Sequence, residues 1–402
     1  MISFALTEDQ QMVQETVRKF AAEEIRPRLR DYEKSRDVPD ELRKKFHDLG
    51  LSLVDVPESL GGVGFGSFTA ALVHEELACG DPGAAVTLWA PHLVPAALVE
   101  LGTAEQAKRG LARFSAPEGW SKLGAVAWSE CGKGLPEAGF ATTARKDGGQ
   151  WVLDGEKAFV VNGGRADVYV VFAQIDAGKG WGGIGAFVVE AKSPGLEATR
   201  ASAWLGLETV HAQDLRLAGC RVDDAARLAG GDDVVAATRR FFARAALATA
   251  ARQVGLARAS YDYALAYAQD RQAFGKPVAH FQAVSFTLAE MHMDVESARW
   301  MVWRAAAALD AGHADALASV AKAAAHANDA AWRVADHGVQ LLGGAGYVQD
   351  YPVEKWMRDT KALALLGGSD QIAQLTVAAA ALGRPEEFGA NLPSPWIQPV
   401  VT

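Results

Sequence analysis

The first 118 residues carry apolar side chains at the three- and four-residue spacing of amphipathic helices. Val13, Val17 and Phe20 follow Thr7-Glu8-Asp9-Gln10, which has the form of a capping box and predicts a helix start. Further helices are predicted after Pro39 and over 67–79, 84–100 and 103–114. Residues 1–118 are therefore predicted to form an all-α N-terminal domain.

The pattern changes after Pro117-Glu118-Gly119 to short runs of β-branched and aromatic residues. Turn clusters such as Asp147-Gly148-Gly149 separate these runs. The runs are Trp151–Leu153, Val168–Phe172, Ala186–Val189 and Leu215–Leu217. Strands of this length between turns predict a middle β-barrel or sandwich over 119–230.

From about Asp232 to Leu382 the spacing is helical again. Leu247, Val254 and Tyr261 recur every seven residues, and alanine-rich stretches permit close helix contacts. Breaks fall at Gly275-Lys276-Pro277, Gly312, 343–346 and 367–368. Residues 231–402 are therefore predicted to form an antiparallel four-helix bundle, which makes the chain an α+β multidomain protein.

Composition excludes several classes of protein. The chain has 402 residues, 50% of them hydrophobic and 22% charged, with a net charge of −9, which argues against a nucleic-acid or anionic-membrane surface. Cys79, Cys131 and Cys220 are odd in number and far apart, so we expect no disulfide framework and no metal site. We find no signal peptide and no long uncharged apolar run, and we expect a cytoplasmic protein without a membrane span.

Two motifs stand in the C-terminal region. The first runs from Gln340 through Gly343-Gly344-Ala345-Gly346 to Tyr351-Pro352, and a second glycine break at Gly367-Gly368-Ser369 follows. Glycines allow positive φ and close backbone approach, and Pro352 suits a helix start. The second motif is Tyr267-Ala-Gln-Asp-Arg271-Gln-Ala-Phe274-Gly275-Lys-Pro277, followed by Phe281-Gln282.

These motifs, in a chain of α, β, α order, resemble the signatures of the acyl-CoA dehydrogenase family over essentially the whole sequence. The resemblance implies that fold and an FAD bound between two protomers. Six residues match those that a protomer lends to the ADP half of its neighbour's FAD: Arg271, Phe274, Gln282, Gln340, Gly343 and Gly344. A guanidinium suits a pyrophosphate because it forms two charge-assisted hydrogen bonds. The alternative for Arg271 is an ion pair with an acidic neighbour such as Asp270.

The residues that would receive the protomer's own flavin depart from the family pattern. Where the family has T-E-P-x-A-G-S-D, this chain has Ser129-Glu130-Cys131-Gly132-Lys133-Gly134-Leu135-Pro136, so a hydroxyl is replaced by Leu135 and Ser129 remains as a weaker contact. Where the family has W-I-T-N, the chain has Phe159 and Val161 in place of the Trp and the Thr. Val161 keeps the shape of Thr and loses its hydrogen bond.

The family's catalytic base is also absent. In the family a Glu precedes Gly-Thr at the second glycine break, where this chain has Gly367. Some members carry the Glu on the first bundle helix instead, and that position is Ala245, with Ala246 in place of the adjacent Arg. No catalytic residue is therefore predicted. Asp370 and Glu208 are the acids considered as substitutes, but stabilisation of a helix N-terminus is the favoured explanation of Asp370, and a solvated loop charge is that of Glu208. Glu130, His211 and His292 are expected to be structural.

Three hypotheses follow. The first is a non-catalytic subunit of a heteromeric FAD-dependent acyl-CoA dehydrogenase, most simply an α₂β₂ tetramer with a Glu-bearing paralogue that acts on an acyl-CoA in lipid β-oxidation. Electron-transfer flavoprotein is one candidate partner, and the sequence does not identify the electron acceptor. The second is a self-sufficient flavoenzyme that performs oxygenation or desulfination on an acyl thioester. The third is a non-enzymatic scaffold that binds acyl-CoA.

Overall fold

The computed structural model describes residues 5–130, 139–230, 233–366 and 370–383, so Cys131, Leu135, Gly367 and Ser369 lie outside the described residues. The N-terminal region is helical: α1 Glu8–Phe20, α2 Leu29–Ser35, α3 Asp40–Asp48, α4 Ser67–Gly80, α5 Pro82–Trp89, α6 Leu93–Leu101 and α7 Ala104–Ser115. The predicted capping box is confirmed, because the Gln10 amide N–H donates to Thr7 Oγ1 and the Thr7 N–H donates to Gln10 Oε1.

The predicted helix over 84–100 is divided in two. A 3₁₀ turn, Ala90–His92, separates α5 from α6, and Pro91 within it has no N–H to continue the α-helical hydrogen bonds. The whole stretch Pro82–Leu101 is apolar and long enough to span a membrane by composition alone, but 78% of it is buried within the protein. It is therefore a core segment, packed between the sheet and the C-terminal helices.

The middle region is one seven-stranded sheet. Its strands are β1 Gly124–Ala127, β2 Thr143–Asp147, β3 Gln150–Val161, β4 Val168–Gln174, β5 Ile184–Glu190, β6 Leu196–Ala201 and β7 Ala212–Asp223. The order is β1-β4-β2-β3-β7-β6, and β5 pairs with β4. Because β4 has three partners, the sheet curls instead of lying flat. Register shifts in β3 between Leu153 and Gly155 and between Lys157 and Val160 add to this curvature.

The C-terminal region contains the helices α8 Val234–Asp270, α9 Gln282–Asp310, α10 Ala316–Leu342, α11 Val353–Leu366 and α12 Asp370–Leu382. A small hairpin, β8 Gln272–Ala273 and β9 Lys276–Pro277, joins α8 to α9. Alanines and Gly255 let α8 lie against α4 and α10; a Cβ at Gly255 would come within 2.1 Å of the Glu75 carbonyl oxygen. The long helices α8, α9 and α10 thus form the frame that α11 and α12 complete.

A buried ionic network fixes α11 to the rest of the protein. Lys355 Nζ donates to Asp81 at 2.5 Å and to Asp359 at 2.6 Å, and all three side chains are fully buried. Asp359 also accepts a hydrogen bond from the Leu207 backbone N–H at 2.6 Å, and Asp81 caps the N-terminus of α5 through the Ala84 N–H. The network therefore joins one residue of the N-terminal region, Asp81, and one of the middle region, Leu207, to the helix that precedes the second glycine break.

Candidate functional site

A cavity lies where all three regions meet, between α5, β1, β3, α8 and α11. On α8 its lining residues recur at intervals of three and four, which places them on one face of that helix. The residues that line it are Val86, Trp89, Ala90, Leu93, Val126, Trp128, Ser129, Phe159, Val161, Phe241, Phe242, Ala245, Thr249, Arg252, Leu363, Leu365 and Leu366. Ser129, Phe159, Val161 and Ala245 were all assigned from sequence to a protomer's own flavin and substrate, and the fold brings them together.

The cavity measures about 130 Å³. Sites for small molecules and cofactors commonly enclose about 300–1,000 Å³, so this space is small for a flavin ring together with an acyl thioester. Aromatic side chains occupy much of the space where the three regions meet. The Trp128 ring centroid lies 4.4 Å from that of Phe242, 4.6 Å from Phe140 and 4.8 Å from Phe172, and the contacts are edge-to-face.

Among the described residues, no Asp, Glu or His lines the cavity. At position 245, one of the two base positions, an alanine faces it, and the nearest hydroxyl on α8, Thr249, donates to the Ala245 carbonyl at 3.1 Å. Abstraction of an α-proton needs a general base within hydrogen-bond reach of the substrate. The described part of the cavity wall supplies none.

Asp370 and Glu208, the two acids considered as substitutes, are engaged elsewhere. Asp370 stands in the first turn of α12 and accepts a hydrogen bond from Asn328 Nδ2 at 2.7 Å; Asn328 in turn accepts one from Gln253. Glu208 lies 3.7 Å from the Arg36 guanidinium and 3.8 Å from that of Arg358. Neither residue lines the cavity, and both charges have structural partners.

Glu130 holds the end of β1 in place. Its carboxylate accepts hydrogen bonds from the Ala141 and Thr142 backbone N–H groups, and it pairs with the buried Lys157 at 2.8 Å. Burial opposes ionisation, but Lys157 and the hydrogen bonds outweigh it and hold the pKa of Glu130 below its usual value. Burial lowers the pKa of Lys157 to about 8. His211, bonded to the Gly163 carbonyl, and the exposed His292 are also placed outside the cavity.

The two altered residues of β3 are held by local backbone geometry. Phe159 adopts a left-handed φ of 53°, and its N–H donates to Asp214 Oδ1 at 2.9 Å. This bulge turns the Phe159 ring into the cavity, where Val161 follows on the same strand. Val161 contributes methyl groups only, so this part of the wall offers no side-chain hydrogen bond to a ligand.

Sequence reasoning did not anticipate Arg252, the one charged residue that lines the described part of the cavity. It is 2% exposed, it lies on the cavity face of α8, and its guanidinium carbon sits 4.3 Å from the Trp89 ring centroid. Nη2 contacts His74 Nδ1 at 3.1 Å, whereas Nε has no hydrogen-bond partner among the described residues. Burial lowers the pKa of Arg252 to about 9. The signal in the sequence was a cation in Ala248–Gly255, a stretch in which Thr249 and Gln253 are the other polar residues.

The six residues assigned to a neighbour's FAD are distributed differently. All are solvent-exposed, none lines the cavity, and they sit at the ends of α8, α9 and α10. We call this set the donating surface: Arg271, Phe274, Gln282, Gln340, Gly343 and Gly344. Phe274, with a left-handed φ of 51°, is 96% exposed and its ring meets that of Phe281. The alternative pairing of Arg271 with Asp270 is not among the ion pairs of the described residues.

The glycines of the donating surface leave open space. Gly343 has a φ of 59° and ends α10, and a 3₁₀ turn runs from Gly343 to Tyr347. A Cβ placed on Gly343 or on Gly344 would meet no atom within 4 Å, whereas one on Gly346 would come within 2.2 Å of the Val339 carbonyl oxygen. Gly346 is therefore required for packing, and the other two glycines face outwards.

Apolar side chains are exposed across the C-terminal region. Tyr347, beside the donating surface, is 86% exposed, and α9 exposes Phe286, Met293 and Trp300. Exposed apolar side chains that lie together in one patch are typical of a contact with another chain.

Comparisons with known proteins agree with this architecture. Family models named acyl-CoA dehydrogenase N-terminal, middle and C-terminal domain match residues 7–118, 125–220 and 235–382. A protein of Mycobacterium tuberculosis named "Probable acyl-CoA dehydrogenase FadE25" is 34% identical over 387 residues, which cover 94% of this chain and 97% of that protein. The chain belongs to the acyl-CoA dehydrogenase family.

Solved structures of this family share the fold closely. Butyryl-CoA dehydrogenase of Megasphaera elsdenii is 31% identical with a TM-score of 0.88, over 95% of this chain and all of that one. A chain from a structure titled electron transferring flavoprotein of Acidaminococcus fermentans is 30% identical with a TM-score of 0.89, over the same shares. The predicted α, β, α fold of the family is thereby confirmed.

The family is FAD-dependent, and a glutaryl-CoA dehydrogenase of Mycobacterium smegmatis, 25% identical with a TM-score of 0.83 over 94% of this chain and 95% of that one, was solved with FADH2. The residues of the donating surface fit an ADP moiety, because an exposed guanidinium, two amides and an open glycine turn are available. The cavity fits a flavin poorly: it is small, aromatic and without a hydroxyl at Val161.

Proposed function

We propose that this chain is the non-catalytic subunit of a heteromeric FAD-dependent acyl-CoA dehydrogenase. In an α₂β₂ tetramer its donating surface completes the FAD site of a Glu-bearing paralogue. The paralogue's own carboxylate then removes the α-proton of an acyl-CoA while the flavin accepts hydride. The chain's own cavity takes no part in that reaction.

One observation supports this proposal: the residues expected to bind a neighbour's FAD are all present, whereas the residues expected around the chain's own flavin are altered. The donating surface keeps all six expected residues, exposed and unobstructed. The cavity holds about 130 Å³ and, within the described residues, no acid. A chain that used its own flavin would need both halves, whereas a chain that serves a partner needs only the first.

The chemistry supports the same division. Loss of a general base alone reduces a rate by about 10²–10⁴-fold. In this chain Ala245 and Gly367 remove both known base positions, and Asp370 and Glu208 are held by other partners. A separate subunit with an intact base would supply what is missing.

The exposed apolar residues of the C-terminal region provide the surface for assembly. Phe274, Tyr347, Phe286 and Trp300 would be covered by the partner subunits, and removal of such side chains from water favours association. We further propose a cytoplasmic complex of lipid metabolism that passes electrons to an electron-transfer flavoprotein. The Acidaminococcus relative supports that acceptor by analogy only.

Co-expression tests the proposal. The chain is produced together with a Glu-bearing acyl-CoA dehydrogenase encoded beside it, and the complex is purified through a tag on this chain alone. We expect a tetramer with two FAD per four chains that reduces a flavoprotein acceptor when an acyl-CoA is added. The matched control replaces the partner's Glu by Gln, which should abolish activity and leave the tetramer and its FAD intact.

The two alternatives give other results in the same experiment. A self-sufficient flavoenzyme would purify alone with one FAD per chain, and its reduced flavin would react with oxygen or with an acyl thioester. A scaffold would bind acyl-CoA without raising the activity of any partner. Either outcome would replace the proposal.

A further inference from the structure

Arg252 is a buried cation without a counter-ion. Among the described residues no carboxylate lies within ion-pair distance of its guanidinium, although the side chain is 2% exposed. The nearest polar partner is His74 Nδ1, at 3.1 Å from Nη2. Burial and the adjacent Arg252 charge lower the pKa of His74 well below its usual value, so the imidazole is neutral and accepts the hydrogen bond. His74 therefore satisfies one N–H and neutralises nothing.

An unpaired buried charge destabilises a folded protein. Trp89 compensates in part, because its ring face lies 4.3 Å below the guanidinium carbon. The Nε–H remains without an acceptor among the described residues, and the side chain borders the cavity. An arrangement that leaves a donor and a full charge at the wall of a cavity is expected where a ligand supplies the missing anion.

We propose that the cavity beside Arg252 binds the carboxylate of a short apolar acid. A guanidinium binds a planar carboxylate through two parallel hydrogen bonds. One cation in the described wall matches one negative charge. Apart from the hydroxyls of Ser129 and Thr249, the remaining lining is aliphatic and aromatic, which suits a short hydrocarbon chain. The volume of about 130 Å³ admits a small acid rather than a flavin or a coenzyme A thioester.

This site is independent of the donating surface, because no residue is common to the two. The cavity is therefore a ligand site separate from the FAD site to which the donating surface is proposed to contribute. Since occupancy would add a missing ion pair in the core of the protein, the ligand should stabilise the folded chain.

The test measures binding of pentanoate to the full chain, alone or in its complex, by calorimetry and thermal unfolding. Pentanamide, which has the same shape without the charge, is the ligand control. We expect pentanoate to bind and to raise the unfolding midpoint, and pentanamide to do neither. The variant Arg252→Met keeps most of the volume and should weaken pentanoate binding by about tenfold or more, the loss of a charge-assisted hydrogen bond.

Arg244→Met is the matched variant, since Arg244 lies on the same helix, pairs with Glu100 at 2.8 Å and does not line the cavity. It should leave pentanoate affinity unchanged. Without ligand, Arg252→Met should raise the unfolding midpoint, because it removes an unpaired buried charge. Equal binding of pentanoate and pentanamide, no binding of pentanoate, or a lower unfolding midpoint for Arg252→Met would each overturn the proposal. These readouts need neither FAD nor a Glu-bearing partner, so failure here leaves the proposed function standing.

Discussion

The donating surface and the cavity have opposite properties. The donating surface is exposed, polar at Arg271 and the two glutamines, and open at Gly343 and Gly344. The cavity is enclosed by apolar and aromatic side chains and, within the described residues, carries a single charge, that of Arg252. The residues matched to a neighbour's FAD therefore keep the family pattern, whereas several residues of the cavity depart from it.

The difference separates two kinds of constraint. Residues that would contact a partner's cofactor have to stay exposed, whereas residues around the cavity pack against one another. Trp128 and Phe242 illustrate the second case, because both line the cavity and their ring centroids lie 4.4 Å apart. The framework that positions both regions, including the Lys355 network, is intact.

The largest expected effect comes from that framework. Lys355→Met leaves Asp81 and Asp359 buried without their cation, and loss of one partner of a buried ion pair costs about 3–5 kcal/mol. We expect the free energy of unfolding in urea to fall by that amount and both regions to lose structure together. Lys361→Met on the same helix, where an exposed ammonium lies over Trp332, should cost no more than about 1 kcal/mol.

Arg271→Ala addresses the donating surface alone. Two charge-assisted hydrogen bonds to a pyrophosphate contribute about 3 kcal/mol, so the co-purified complex should bind FAD about 100-fold more weakly. Flavin retained after gel filtration measures this loss. The control Arg304→Ala removes an exposed arginine with only a 3.9 Å contact to Asp315 and should leave FAD content unchanged. Equal flavin loss in both variants would contradict a specific role for Arg271.

Phe274→Ala tests whether the exposed ring is covered in the complex. A buried aromatic anchor at an interface contributes about 2 kcal/mol, so the complex should dissociate at roughly 30-fold higher concentration. Analytical ultracentrifugation gives the dissociation constant. Leu205→Ala, at another exposed apolar residue, should not change it. If the Phe274 variant assembles like the parent, this ring lies outside the interface.

Protonation of His92 in the unfolded chain should lower the free energy of unfolding at acidic pH. Burial lowers the pKa of His92 to about 3, and His92 precedes the cavity residue Leu93. Because His92 in the unfolded chain protonates near pH 6.5, its contribution to stability is complete above that pH and falls by about 1.4 kcal/mol per pH unit between 6.5 and 3. In urea titrations His92→Phe should remove this share of the slope and leave the share of the buried His74, whose pKa is also lowered, whereas replacement of the exposed His313 should change neither.

Ala245→Glu has the smallest expected effect on catalysis. It returns a carboxylate to the cavity wall, but the volume of about 130 Å³ and the apolar Val161 remain. We expect the lone variant to stay without acyl-CoA oxidation in a dye-reduction assay. Appearance of activity would mean that the base is the only missing part and that the cavity accepts flavin and substrate as it stands.

Much of the fold followed from local patterns. The capping box at Thr7, the glycine turn at Gly343 and the alternation of α and β regions are properties of neighbouring residues. Strand β1 was missed because Gly124–Ala127 is short and made of small residues around a single valine. Strands β2 and β6 were missed because TARKD and LEATRA are polar and exposed and carry no apolar alternation. The break between α5 and α6 at Pro91 was also missed, since a continuous apolar run obscured it.

Part of the candidate site was also predictable from the sequence. Ser129, Phe159, Val161 and Ala245 could be brought together by a family resemblance, which fixes positions along the whole chain. Arg252 could not be predicted, because its role depends on its surroundings in the folded protein. Its partners Trp89 and His74 lie more than 150 residues away in the sequence, and no described carboxylate pairs with it. Burial without a partner is a property of the tertiary structure alone.

Flavin content of the lone chain tests the central claim most directly. The chain is purified without any partner, saturated with FAD and gel-filtered, and its absorbance between 350 and 500 nm (roughly the flavin bands) is compared with that of the co-expressed complex. We predict no flavin bands for the lone chain and bands for one FAD per pair of subunits in the complex. One FAD per chain in the lone protein, bleached on addition of an acyl-CoA, would contradict the account.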